Sequence, residues 1–281
     1  MTGGPAPAAI VVDIEGTASP TEAVVGTLYP YAKARMAGWL RTHADDVQVR
    51  QAVAQVRELT GEPDAGLERV VAVLDDWLAR DAKVGPLKVL QGQIWAAGFA
   101  AGELTGVVFP DVEPALSRWH AAGIRLAVYS SGSVAAQQAW FGRAVTSPDW
   151  APAIGGTAAA AGAAVAGTAV AGTAAAGTGA GRGGQAAPGK VHDLGRLLSG
   201  YFDIENAGAK SDAASYLRIA DVLGLEPGRL VFLTDRPSEL DAAAAAGWTA
   251  IGVARPGEPY AEELGAYPHV DSFAAVGFPV A

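Results

Sequence analysis

There is no cysteine in the 281-residue chain. That excludes a disulfide framework and any thiolate-held zinc or iron–sulfur centre. The four histidines, His43, His120, His192 and His269, are scattered and lack the close pairing of zinc ligands. Positive charge is also scarce: 20 Lys and Arg stand against 29 Asp and Glu, for a formal charge of −9. An acidic chain without a basic stripe is not built to grip nucleic acid. The first residues lack a basic segment leading into an apolar run, so no secretory signal is expected. Outside one Ala/Gly tract, too glycine-rich for a membrane span, no apolar run has bilayer length. A cytoplasmic protein with neither nucleic-acid nor membrane partner is therefore expected.

What the chain has is apolar bulk. Half of its residues are hydrophobic, enough for one large domain or a core with an accessory domain. The most informative stretch is Ala9-Ile10-Val11-Val12-Asp13-Ile14-Glu15-Gly16-Thr17. An apolar run with no alternation suits a central strand covered on both faces. Asp13 then stands at the carboxyl end of that strand, where ligands bind in open α/β sheets. In an extended chain Glu15 returns to the face of Asp13. Two acids there repel unless a cation lies between them or one keeps a proton. A strand followed by an acidic turn is the plainer alternative.

Ser19-Pro20-Thr21-Glu22 reads as a helix start, with Ser19 as N-cap and Glu22 at the capping-box position. From there to about Gly106 the apolar spacing is helical throughout, and no strand is expected. The α/β pattern resumes at Phe109-Pro110-Asp111-Val112. Ile124 to Tyr129, Tyr201 to Ile204, Leu230 to Thr234 and Trp248 to Val253 read as strands, with helices between them. The second strand runs into Ser130-Ser131-Gly132-Ser133, whose hydroxyls and backbone N–H groups at a helix start suit a phosphate; taken alone, ordinary capping by Ser131 or Ser133 is the favoured reading. Residues 151–189 are almost entirely Ala, Gly, Thr, Val and Pro, and the expectation is a flexible low-complexity insertion. Lys210, one of five lysines, follows Gly208-Ala209 at a helix start. Asp235 closes the strand Leu230 to Thr234, and Glu239 and Asp241 enter the next helix.

The ordered set Asp-x-Glu-Gly-Thr, strand-Ser-Ser-Gly-Ser, Lys and strand-Thr-Asp resembles the haloacid dehalogenase superfamily of aspartyl-phosphate hydrolases. Within it the chain is similar to the enolase-phosphatases, or acireductone synthases, of methionine salvage. The supporting stretches include Leu28-Tyr29-Pro30-Tyr31-Ala32, Leu90-Gln91-Gly92-Gln93-Ile94-Trp95, Ser199-Gly200-Tyr201-Phe202-Asp203 and Phe232-Leu233-Thr234-Asp235. The resemblance covers nearly the whole chain except the Ala/Gly tract and the extreme ends. It departs at Ala18, Ala209 and the insertion after Phe141-Gly142.

The resemblance implies a doubly wound parallel sheet with an inserted all-helical cap: core at 1–19 and 110–281, cap at 20–109, low-complexity insertion at 146–190. It implies one Mg²⁺ per subunit held by Asp13, Glu15 and Asp235. Asp13 is then the nucleophile, Glu15 the proton carrier or a metal ligand through its backbone carbonyl, and Ser130, Ser131 and Lys210 the phosphate ligands. The implied substrate is a small phosphorylated diketone and the implied assembly a monomer. Glu15 or a cap residue such as Gln91 would take the enolisation proton. A plain phosphatase of the same fold, or a noncatalytic binding module, are the competing readings. A serine hydrolase is excluded, since no Gly-x-Ser-x-Gly elbow surrounds Ser131.

Overall fold

The computed structural model describes residues 6–80, 82, 84–146 and 190–278. The Ala/Gly tract expected at 146–190 lies, apart from its two end residues, outside the described residues.

A six-stranded parallel sheet forms the centre. Its strands are β1 (Ala9–Val12), β3 (Arg125–Tyr129), β6 (Gly200–Phe202), β7 (Leu230–Thr234), β8 (Thr249–Val253) and β9 (His269–Val270), in the order β6-β3-β1-β7-β8-β9. The three innermost strands owe their position to side chains that are apolar on both faces. Ile10 and Val12 of β1, Leu126 and Val128 of β3, and Val231 and Leu233 of β7 enter one buried cluster. Their alternates, Ala9 and Val11, Ala127 and Tyr129, Leu230 and Phe232, enter the other. A smaller sheet of β2 (Gly106–Val108), β4 (Ala144–Thr146) and β5 (Val191–His192) lies apart, in the order β2-β4-β5.

Four helices separate β1 from β2: α1 (Thr21–Thr42), α2 (Val47–Thr60), α3 (Leu67–Ala79) and α4 (Gly85–Ala100). They pack on one another, and their apolar faces merge with one face of the sheet into a continuous cluster. α5 (Val112–Ala121), α6 (Val134–Gly142), α7 (Ala213–Leu223) and α8 (Pro237–Ala245) flank the strands. The start of α1 differs from expectation. Pro20 takes the cap position with no side-chain cap, because the Ser19 hydroxyl is drawn inward to accept a 3.0 Å bond from Trp140 Nε1. The smaller sheet was also not foreseen. Its strands have two or three residues each, too short for an alternating pattern.

Candidate active site

The sheet order brings β3, β1 and β7 side by side, with Val12 level with Val128 and Leu233. The carboxyl ends of these strands therefore deliver Asp13, Ser130 and Asp235 to one edge. Lys210 reaches the same edge from a turn ahead of α7, not from a helix N-terminus. Its Nζ lies 2.6 Å from Asp13 Oδ1 and 2.8 Å from Glu239 Oε2. Burial opposes the charge on Lys210, but the Asp13 and Glu239 carboxylates outweigh it and hold the ammonium above the ordinary lysine range. Two tyrosines fix the turn: Tyr216 donates to the Lys210 carbonyl and Tyr129 to the Gly208 carbonyl, each at 2.8 Å.

Asp13 Oδ1 also accepts from the Ile14 N–H at 2.7 Å, while Oδ2 has only a long 3.2 Å contact from the Thr234 hydroxyl. Thr234 lies closer to Glu239 Oε2, at 2.7 Å. Glu239, in the first turn of α8, is pushed upward in pKa by burial and by the Asp13 charge, against the pull of Lys210. Asp235 is buried, and its Oδ1 has no hydrogen-bond partner among the described residues. Burial, then the charge on Asp13, pushes its pKa up to about 8. Three buried carboxylates thus face the Lys210 ammonium and, beside Asp235, the half-buried Arg236 guanidinium. An unpaired buried carboxylate is costly, and a cation at Asp13 and Asp235 removes that cost. The site is short of positive charge in the way a divalent-metal site is.

Glu15 does not join this set with its side chain. The chain does not stay extended after Asp13: the N–H groups of Thr17, Ala18 and Ser19 all turn back onto the Ile14 carbonyl. Glu15 instead lines a cavity of about 390 Å³ together with Ser130, Ser131, Gln91 and Trp95. Among the described residues, no three His, Cys, Asp or Glu side chains form a metal-holding group. Of the ligand set expected from the sequence, the carboxylates that meet are therefore those of Asp13 and Asp235. Gly16, at φ +70°, makes the turn and lies beneath Asp235.

Ser130 is buried at the end of β3, and Ser131 is exposed at the cavity wall. Ser133, not Ser131, caps α6 by accepting from the Ala136 N–H. The opposite wall of the cavity comes from the helical insert and is mostly apolar, with Val24, Leu28, Leu78, Leu87 and Trp95.

Residues 7–156 match the family model of haloacid dehalogenase-like hydrolases. Over 264 residues the chain is 50% identical to the enolase-phosphatase E1 of Frankia alni, covering 94% of this chain and 92% of that one. It is 45% identical to the enolase-phosphatase E1 of Streptomyces avermitilis over 95% of this chain and 93% of that one. The crystal structure of the UTR4 protein from Saccharomyces cerevisiae superposes with a TM-score of 0.70, at 28% identity, covering 96% of this chain and all of the other. The chain belongs to the enolase-phosphatase E1 family of haloacid dehalogenase-like hydrolases.

Three groups of this enolase-phosphatase were not singled out from its sequence as site residues. Glu239 was visible only as an acid four places after Asp235, and its pairing with Lys210 depends on α8 folding back over β7. Asp203 receives the N–H groups of Val134, Glu205 and Asn206, so it ties the serine loop to the turn after β6. Arg255 is buried and joins both ends of the helical insert. It donates to the Thr17 carbonyl at 3.0 Å and to both Asp111 carboxylate oxygens at 2.8 Å. A lone arginine after a strand carries no local sign of such a role.

Proposed function

We propose that the enzyme converts 2,3-diketo-5-methylthiopentyl-1-phosphate to the acireductone 1,2-dihydroxy-3-keto-5-methylthiopentene and phosphate, a step of methionine salvage in the cytoplasm. The observation that carries this reading is the placement of Asp13, Lys210 and Asp235 at one edge of the sheet, next to a cavity with a serine loop on one wall and apolar side chains on the other. The phosphate suits the Ser130–Ser131 loop and Lys210, and the apolar wall suits the methylthio tail. The names of the relatives support the same pair of reactions.

The orphaned Asp235 Oδ1 and the excess of carboxylate fit a divalent cation. Asp13, Asp235 and the backbone carbonyl of Glu15 would hold one Mg²⁺, a hard ion that prefers oxygen ligands. When bound it supplies positive charge to the phosphoryl and carbonyl oxygens of the substrate.

The chain's own groups divide the remaining work. Asp13 Oδ2, the less engaged oxygen, attacks phosphorus; the bond to the substrate oxygen breaks, and water later releases phosphate from the aspartyl ester. Lys210, anchored by Asp13 and Glu239, offsets charge on the transferred group. Glu15 faces the cavity and carries the proton between the substrate carbon, its oxygen and the leaving group. The helices α1 to α4 act as a cap that keeps water from the reacting carbons.

The test is Mg²⁺-dependent phosphate release from the diketone phosphate, with the ultraviolet absorbance of the enol and of the acireductone followed in parallel. Phosphate release without any enol absorbance would assign the chain to plain phosphatases instead.

A further inference from the structure

The wall that the helical insert contributes to the cavity contains one amide with nothing to do. Gln91, in the middle of α4, is 7% exposed and lines the cavity. Its side chain makes no hydrogen bond with the described residues. Several other polar groups on the same walls are engaged, although Gln137 Oε1 also lacks a partner among the described residues. Gln93 and Gln48 bond each other at 2.9 Å, and Gln93 also accepts from Trp39. The Gln137 amide nitrogen is spent on the carbonyls of Gly132 and Phe202. Asp203 is spent on backbone N–H groups. A polar side chain without a protein partner that borders a cavity is available to whatever enters it.

The position of Gln91 says which part of the substrate it meets. Its neighbour Gly92 has no side chain, and a Cβ there would lie 3.8 Å from Ser133 Oγ, so α4 runs directly against the serine loop. Trp95, one turn further along α4, is held by a 2.7 Å bond from Nε1 to the Leu28 carbonyl and lines the cavity with the other apolar side chains of the insert. Gln91 therefore stands on the cavity wall beside the residue that meets the serine loop. In the proposed substrate the carbonyl next to the phosphate-bearing carbon lies nearest that loop.

We propose that the Gln91 amide donates a hydrogen bond to the substrate carbonyl oxygen next to the phosphate-bearing carbon, and so stabilises the enolate formed there. This inference rests on the enolase-phosphatase reading above. During enolisation a C–H bond breaks at the phosphate-bearing carbon. The proton passes to Glu15, the electron pair becomes the new C=C bond, and the carbonyl oxygen gains the negative charge before it is protonated. An amide is far too weak a base to take that proton. It has an N–H to offer to the oxygen at the moment charge accumulates, which is where a fixed donor is worth most. Gln91 is thus a further catalytic residue for the first half-reaction, not its proton acceptor. α4, packed on α1 and α2, supplies the rigidity that such a donor requires.

Gln91→Met keeps the length and removes the amide; Gln91→Glu keeps the shape and an acceptor oxygen but loses the N–H. Each is compared with the wild type by thermal midpoint, by enolisation of the diketone phosphate, and by hydrolysis of nitrophenyl phosphate, which has no carbonyl to enolise. Loss of one preorganised donor lowers enolisation on the order of 10²-fold. The ratio of diketone to nitrophenyl phosphate turnover should then fall at least tenfold in both variants, at a thermal midpoint close to that of the wild type. Gln91→Met with wild-type enolisation, or both substrates falling in parallel, overturns the assignment. Wild-type rates in Gln91→Glu overturn the donor role, since only an acceptor would have been needed. A wild-type enzyme that cleaves nitrophenyl phosphate but leaves the diketone phosphate unchanged refutes the enolase-phosphatase reading itself, and the Gln91 role with it.

Discussion

Gly16→Ala is the most economical test of the metal site, because it adds one methyl group at a position where the structure has no room for it. Gly16 sits at φ +70°, and an added Cβ would lie 2.7 Å from Asp235 Cγ. The left-handed backbone alone costs an alanine roughly 1–2 kcal/mol. Reduced entropy of the unfolded chain returns about 0.4–1 kcal/mol of that. The overlap must be relieved by moving Asp235, which is buried at the end of β7 and has no open side to retreat to. A local repacking of this kind costs about 1–3 kcal/mol. The sum is a loss of roughly 1–5 kcal/mol. At about 2–4 °C per kcal/mol for a chain of this size, the thermal midpoint drops by roughly 2–20 °C. The functional effect is larger than the loss of stability, because Asp235 is displaced from its place beside Asp13. Wild-type enzyme at Mg²⁺ concentrations about 100-fold above the dissociation constant gains about 2.7 kcal/mol. The variant should lose most of that gain, along with at least a hundredfold of its turnover. Differential scanning calorimetry with and without Mg²⁺, run beside the phosphate-release assay, reads both quantities. A variant that folds, keeps its full Mg²⁺-dependent rise and turns over within tenfold of wild type refutes the placement of the cation under Asp235.

Four further outcomes are expected. Asp235 and Glu239 have folded-state pKa values raised above the ordinary carboxylate range, so the stability they contribute is present in acid, below that range, and is lost as pH rises through the folded values. The thermal midpoint of the enzyme in EDTA should therefore fall from pH 5 to pH 8.5, and the rise produced by Mg²⁺ should grow over the same interval. Asp235→Asn should flatten that slope, raise the metal-free midpoint at pH 8 and abolish the Mg²⁺ response; a slope as steep as in the wild type would remove Asp235 as its source. Tyr216→Phe keeps the ring against Tyr129, Phe232 and Trp248 but removes the bond to the Lys210 carbonyl, so phosphate release should fall roughly tenfold, corresponding to about 1.4 kcal/mol, with little change in melting. Unchanged kinetics would show that the Lys210 turn holds without it. Arg255→Met strips Asp111 of its cationic partner, leaving the bonds from Ser272 and the Phe273 N–H, and should destabilise by about 3–5 kcal/mol, while Arg255→Met with Asp111→Asn should recover part of the loss; strictly additive losses in chemical denaturation would deny the coupling.

Much of this protein was legible from its sequence. Ala9 to Val12, Leu230 to Leu233 and Leu126 to Tyr129 are apolar without alternation, the pattern of a strand covered on both faces. Each strand leads into Asp13, Asp235 or Ser130, so the polar ends of the strands were visible as soon as the strands were. The helical spacing from Thr21 to Ala100 was equally plain, because an amphipathic period repeats within a single segment. What the tertiary structure alone decided are relations between segments. The chain order does not say that β7 and β3 flank β1, and without that order Asp13 and Asp235 are merely two acids 222 positions apart. Glu15 looked like a partner of Asp13 on an extended chain; the turn onto the Ile14 carbonyl sends it to the cavity instead. Glu239 and Arg255 gained their roles from the Lys210 ammonium, the Thr17 carbonyl and the Asp111 carboxylate, and Asp203 its tie to the serine loop from the Val134 N–H, all distant in sequence. Local patterning reports how each segment buries its own apolar side chains, whereas charge pairing in a buried site depends on which strand ends the fold brings within a few ångströms of one another.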